Sequence, residues 1–144
     1  MEVGFLGWIG IGGVFGLSAL GSAIGVVISG PAVIGAWKKC YLQKRPAPFI
    51  LVVFAGTVLS NIIYGFILLV AFSESTVLQD PQFLTLGLGA GLCIFAVAIT
   101  QSICSAAAAE AYAETGEGFG NFLMVVGIAE TISLFAVVFT ILFT

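Results

Sequence analysis

Glu130 is the only ionisable residue inside the last apolar stretch of the chain, where the sequence reads GIAETISLFAVVF. A carboxylate at the centre of a bilayer costs about 2.5–3.5 kcal/mol on insertion scales, so such a residue is a functional-site hypothesis by default and needs a partner. A carboxylate can bind a cation or exchange a proton. Glu130 is therefore the first candidate for chemistry in this sequence.

A set of uncharged polar residues is predicted to lie at the same depth. In the second apolar stretch four of them share the spacing i, i+3, i+4, i+7, which places them on one helical face: Thr57, Ser60, Asn61 and Tyr64. The third stretch contributes Gln101 at a level that can match Glu130. The alternative is that each side chain separately makes a hydrogen bond between helices, which is common in membrane bundles.

One carboxylate among several neutral oxygens suits a small, hard, monovalent cation. The chain has no His, and no thiolate joins the set, which argues against a transition metal. A bound cation would neutralise Glu130, whereas without one the carboxylate must take a proton or meet a positive group. The apolar stretches contain no basic residue, so we expect that positive group on another polypeptide.

Composition identifies the elements that must position these residues. The 144 residues are 60% hydrophobic and 8% charged, against about 25% charged in a soluble domain. Four stretches are long enough to cross a bilayer, at 5–37, 48–72, 83–112 and 119–143. We predict a single all-α membrane domain over 1–144, with hairpin one at 5–72 and hairpin two at 83–143. The first and third stretches exceed the bilayer and are expected to tilt or project.

The four basic residues predict the orientation. All of them lie in the connection KKCYLQKRPAP, at Lys38, Lys39, Lys44 and Arg45, and the positive-inside rule makes that connection cytoplasmic. The predicted cytoplasmic loops are then about 38–47 and 113–118, and both termini lie on the non-cytoplasmic side. The expected localisation is a multi-pass integral membrane protein.

The two hairpins also resemble each other. LVVFAGTVLSNIIYGFILL in the second stretch overlays FLMVVGIAETISLFAVVFT in the fourth, which places Leu59 at the position of Glu130. Both hairpins have the same orientation, as in a parallel repeat. Small residues line the first and third stretches, including Gly12/Gly16 and Gly87/Gly91, which predicts close packing of these two helices.

With one Glu in the last of four helices and Gly/Ala-rich alternate helices, the chain resembles the membrane rotor-ring (proteolipid c/K) subunit of V-type and A-type rotary ATPases. The segments AETISLF and GTVLSNIIYG carry most of the resemblance. It is most similar to the sodium-binding members. The resemblance implies that Glu130 carries the ion, and it implies as further ligands the Thr57 backbone carbonyl, Ser60, Asn61, Tyr64 and Gln101. Because Asn61 is shorter than the Gln common at its position, the alternatives are direct ligation or a bond to Glu130.

The resemblance also implies a mechanism and partners. Copies of the chain would form a ring in the lipid bilayer and carry Na+, or alternatively H+, past a stator subunit that supplies an Arg. A central-stalk subunit would bind the cytoplasmic loops and couple rotation to ATP hydrolysis or synthesis. No cofactor besides the transported ion and no nucleic-acid partner is expected. One carboxylate per four helices favours a pump over a synthase, because fewer ions cross per turn.

Two other classes of function are alternatives. A small ion channel or secondary transporter could use Glu130 as its coupling site, although four helices with one carboxylate make a poor stand-alone transporter. A membrane enzyme is disfavoured because the chain offers no nucleophile, base or metal cluster beside Glu130. We therefore predict that the protein is not an enzyme by itself but a non-catalytic subunit of an ion-transporting ATPase.

Overall fold

A computed structural model describes residues 3–144 as four long helices, without a strand in that range. Helix one is Phe5–Leu42, helix two is Phe49–Glu74, helix three is Asp80–Thr115 and helix four is Phe119–Ile141. Each is long and apolar enough to cross a membrane. The predicted all-α class with four membrane helices is confirmed.

Helices one and three are longer than a bilayer requires. Their 38 and 36 residues correspond to about 57 and 54 Å at 1.5 Å per residue, against about 30 Å of hydrocarbon. Helix one continues to Leu42, so the connection predicted at about 38–47 begins as helix. Both helices are therefore long enough to project from the hydrocarbon layer or to tilt within it.

The turn between helices three and four depends on two glycines. Gly116 ends helix three with φ of 72°, and Gly118 precedes helix four with φ of 82°. Both values lie in the left-handed region, where a residue without Cβ pays no steric penalty. The helices are thus joined by a tight turn and remain neighbours.

Helices one and three form the most extensive pair in the bundle. At the end near the termini their backbones touch through Gly10 and Gly87: a Cβ on Gly10 would collide with the Phe83 backbone, and one on Gly87 with the Gly10 backbone. Such contacts between small residues are typical of closely packed membrane helices. Helix two packs on helices one and three, and helix four packs on helices three and two.

The bundle interior consists of two apolar clusters with a polar layer between them. One cluster contains Val14, Leu68 and Ile94, and the other contains Leu51, Phe54 and Ala109. The buried polar side chains are mostly Ser and amides from all four helices, and most of them lie between the clusters: Ser18, Ser22, Ser29, Asn61, Gln101, Ser102, Ser105, Ser133 and Thr140. Within the described residues, every buried side-chain nitrogen and oxygen has a hydrogen-bond partner.

Helix two changes its winding in this polar layer. Its α-helical turns are interrupted at Thr57–Leu59 by one turn of 3₁₀ helix, and the α-helix resumes at Ser60. A 3₁₀ turn inside a longer helix often marks a functional position. Here it lies at the level of the predicted site.

Candidate ion-binding site

Glu130 on helix four is half-buried and accepts hydrogen bonds from two other helices. The Tyr64 hydroxyl on helix two donates to its Oε1 at 2.9 Å. The Gln101 amide Nε2 on helix three donates to its Oε2 at 3.3 Å. Each carboxylate oxygen thus has its own donor, and three helices meet at this side chain.

The 3₁₀ turn of helix two provides the Thr57 carbonyl. This oxygen accepts from the Ser60 hydroxyl at 2.9 Å and from Gln101 Nε2 at 3.4 Å. The Gln101 amide nitrogen therefore bridges the Glu130 carboxylate and the Thr57 carbonyl. Both oxygens were predicted as cation ligands, and the structure places them around one point.

Two serines from the neighbouring helices fix the turn in place. Ser22 on helix one donates to the Val58 carbonyl at 3.1 Å. Ser105 on helix three shares a hydrogen bond of 2.9 Å with the Thr57 hydroxyl, which also bonds the Phe54 carbonyl at 3.1 Å. Side-chain hydrogen bonds thus supplement the local backbone bonding. The sequence did not single out Ser22 or Ser105 in this role, because a lone Ser on an apolar helix carries no distinguishing signal.

Asn61 lies behind Gln101 and does not contact Glu130. Its Nδ2 donates to Gln101 Oε1 at 2.6 Å and to the Val58 carbonyl at 3.3 Å. Its Oδ1 accepts from the Ser133 hydroxyl on helix four at 2.7 Å. Of the two sequence alternatives for Asn61, the bond to Glu130 is not formed, because the short side chain points into the fully buried interior.

The structure thus brings all six sequence candidates into one hydrogen-bonded network. Some of these side chains contact Glu130 directly, and the others join it indirectly. Tyr64 and Gln101 contact the carboxylate directly, while Thr57 and Ser60 join it through the Thr57 carbonyl, and Asn61 joins it through Gln101. Ser133 also joins the network indirectly, through its bond to Asn61. The sequence did not single it out, for the same reason as Ser22.

The network contains one acidic side chain, Glu130, and no basic side chain. Every Lys and Arg of the chain lies within residues 38–45, away from this layer. In the described part of the chain, no group of three or more His, Cys, Asp or Glu side chains could hold a metal ion. The network therefore offers one negative charge and neutral oxygens, the donor set that suits a monovalent cation.

The fold is that of a multi-pass membrane protein, with the Glu130 carboxylate in its polar layer. In a comparison with protein families, the model for the C subunit of ATP synthase matches residues 84–143, which include Glu130, Gln101 and Ser133. Comparison with curated proteins finds no match. Members of that family are ion-translocating, non-catalytic rotor-ring subunits of rotary ATPases, and the second half of this chain is similar to them. Members of that family assemble into homo-oligomeric rings.

Proposed function

We propose that this chain carries Na+ on Glu130 as a ring of its copies rotates, and that rotation is coupled to ATP hydrolysis or synthesis in soluble subunits. The supporting observation is the position of the Glu130 carboxylate. It is half-buried in the middle of helix four and faces the Thr57 carbonyl, Tyr64 and Gln101. Oxygen donors from helix two and a carboxylate from helix four can together replace the hydration shell of a small cation.

Neutralisation explains how a carboxylate at this depth can pass along a lipid face. With Na+ bound, the site has no formal charge, and the cost of exposing it to hydrocarbon falls. When the ion leaves, the carboxylate needs another positive partner. Because helices two, three and four supply none at this level, an Arg of a stator subunit is the partner that fits the charge balance.

The basic connection is the surface that fits a central-stalk subunit. Lys39 of helix one forms an ion pair with Glu114 of helix three. Arg45, in the connection that follows helix one, donates to the Ala113 carbonyl at 3.1 Å. Lys38 and Lys44 are the charges with which an acidic stalk surface would pair. This assignment places the basic end on the cytoplasmic side and both termini opposite.

The test is labelling of Glu130 by a hydrophobic carbodiimide, which reacts with a protonated carboxyl group in the membrane. The purified complex is incubated with the reagent at fixed pH across a range of Na+ concentrations, with K+ at equal ionic strength as the control. We expect Na+ to slow labelling in a saturable manner and K+ to have little effect. Labelling that is insensitive to Na+ would refute sodium transport and favour the proton version.

The ring itself is tested by size. A detergent-resistant complex of many copies supports the rotor function. A monomer or dimer in mild detergent would contradict it and return the channel or transporter to consideration.

A further inference from the structure

A directed chain of hydrogen bonds reaches Glu130 from the interior. The Ser133 hydroxyl donates to Asn61 Oδ1 at 2.7 Å, and Asn61 Nδ2 donates to Gln101 Oε1 at 2.6 Å. Gln101 Nε2 then donates to Glu130 Oε2 at 3.3 Å. Asn61, Gln101 and Ser133 are fully buried. Each donor in the series thereby determines the orientation of the next group.

The last link matters for cation binding. In the observed orientation Gln101 turns an N–H toward both the carboxylate and the Thr57 carbonyl. An N–H carries partial positive charge and repels a cation, whereas the amide oxygen attracts one. A cation held between these two oxygens therefore requires Gln101 to turn its amide over and present Oε1.

Turning Gln101 over changes what Asn61 must offer. The Gln101 N–H groups would then face Asn61, which has to present Oδ1, so its own Nδ2 would face Ser133. The Val58 carbonyl would lose Asn61 but keep the Ser22 hydroxyl as donor. A serine hydroxyl can either donate or accept, so Ser133 can satisfy both orientations.

When the Gln101 amide is turned over, the Ser133 hydroxyl also has an acceptor for its proton. A hydroxyl inside a helix can donate to the carbonyl four residues earlier. Three other buried serines do so in this protein: Ser18 donates to the Val14 carbonyl at 2.7 Å, Ser29 to the Gly25 carbonyl at 3.0 Å and Ser102 to the Ala98 carbonyl at 2.6 Å. Ser133 can adopt the same bond when it accepts from Asn61.

We propose that Asn61 and Ser133 are positioning residues that set which end of the Gln101 amide faces the ion, and that Asn61 is not itself a ligand. This inference rests on the proposed carriage of Na+ by Glu130. Asn61 contacts Gln101, Val58 and Ser133 but not Glu130. Its influence on the ion therefore passes through Gln101.

The variant Ser133→Ala tests the proposal. In the observed orientation of Gln101, loss of the Ser133 hydroxyl leaves Asn61 Oδ1 without this donor. In the turned orientation, the same loss leaves the buried N–H groups of Asn61 Nδ2 without this acceptor. Orphaned N–H groups are the rarer and less tolerated of the two. We therefore expect weaker binding: the Na+ concentration that halves carbodiimide labelling should rise roughly three- to tenfold, the effect of one hydrogen bond.

Controls separate positioning from general damage. Ser102→Ala removes a buried serine next to Gln101 whose hydroxyl bonds only its own helix, and it should change the half-protecting Na+ concentration less than about twofold. Ser133→Thr keeps the hydroxyl and should restore Na+ protection toward the wild-type value. The assembled size should stay as in the wild type for Ser133→Ala.

A double-mutant cycle gives the sharpest result. Because Ser133 acts through Asn61, adding Ser133→Ala to Asn61→Ala should cause no further shift, a clear departure from additivity. An unchanged half-protecting concentration in Ser133→Ala, or full additivity in the cycle, would overturn the positioning inference while Na+ protection of the wild type stands. Absence of protection in the wild type would instead refute the proposed sodium function.

Discussion

The hydroxyl of Tyr64 donates to Oε1 of Glu130 at 2.9 Å, although 66 positions separate the two residues in the chain. This contact joins helix two to helix four inside the polar layer. It gives an uncharged donor to a carboxylate that has no basic neighbour in the bundle. The bond should therefore influence both the orientation of Glu130 and its affinity for an ion.

The variant Tyr64→Phe tests this bond, because it removes the hydroxyl and keeps the ring. A hydrogen bond to a charged group contributes about 1.5–3 kcal/mol, so the half-protecting Na+ concentration should rise about tenfold or more. Carbodiimide labelling across Na+ concentrations measures it. Tyr112→Phe is the matched control. Tyr112 lies near the C-terminal end of helix three, away from the level of Glu130, and its ring packs edge-on against Phe119 at 5.8 Å. An equal effect of both variants would mean that Tyr64 acts only by packing.

Glu130→Gln keeps the shape of the side chain and removes its charge. We expect ion transport by the reconstituted complex to be lost and carbodiimide labelling to disappear, because a neutral amide cannot exchange a cation or a proton. The ring should still assemble, since the change is nearly isosteric and the apolar contacts of helix four remain. Gel filtration in mild detergent checks assembly, and its loss would show a structural role for the carboxylate instead.

Gly87→Ala should destabilise the contact between helices one and three. The added Cβ would collide with the Gly10 backbone, and overpacking of this kind costs on the order of 1–3 kcal/mol. Thermal unfolding of the detergent-solubilised protein, followed by circular dichroism, should show a lower midpoint. Gly89→Ala, on the same helix but with nothing within 4 Å of the new Cβ, should leave the midpoint nearly unchanged. Equal midpoints for the two variants would contradict the close backbone contact.

Arg45→Met should have a small, salt-dependent effect on stability. The guanidinium donates to the Ala113 carbonyl at 3.1 Å, near the C-terminal end of helix three. A cation at a helix C-terminus contributes about 0.3–1 kcal/mol at low ionic strength. The unfolding midpoint should fall at low salt and approach the wild type at high salt. Lys44→Met, which changes an exposed residue, is the control, and an identical response in both variants would mean that only net charge matters.

Much of the fold followed from the sequence because the bilayer imposes simple constraints on it. Long apolar stretches predict helices, and Glu130, the one charge deep inside them, is the candidate for chemistry. The spacing of helix two placed Thr57 and Tyr64 on one face, and both lie at the site in the structure. These features depend on periodicity and hydropathy, which a single sequence contains.

The hydrogen bonds that join Glu130 to the buried interior could not be predicted in the same way. The hydrogen bonds of Asn61 to Gln101 and Ser133 depend on the distances between three helices, and spacing within one helix does not determine these distances. The 3₁₀ turn at Thr57–Leu59 likewise could not be predicted, because no Pro marks it in the sequence. It is supported by hydroxyl groups of helices one and three, so it is a product of packing.

The links between the two hairpins at both ends have a mechanical consequence. At one end the Gly4 N–H donates to Asp80 at 2.8 Å. At the other, the Lys39–Glu114 ion pair and the Arg45 bond to Ala113 join the same two hairpins. Torque applied to either hairpin is therefore shared by both, and each copy should twist as one stiff element. In the proposed ring, elastic strain under load would then fall on the contacts between copies rather than within each copy.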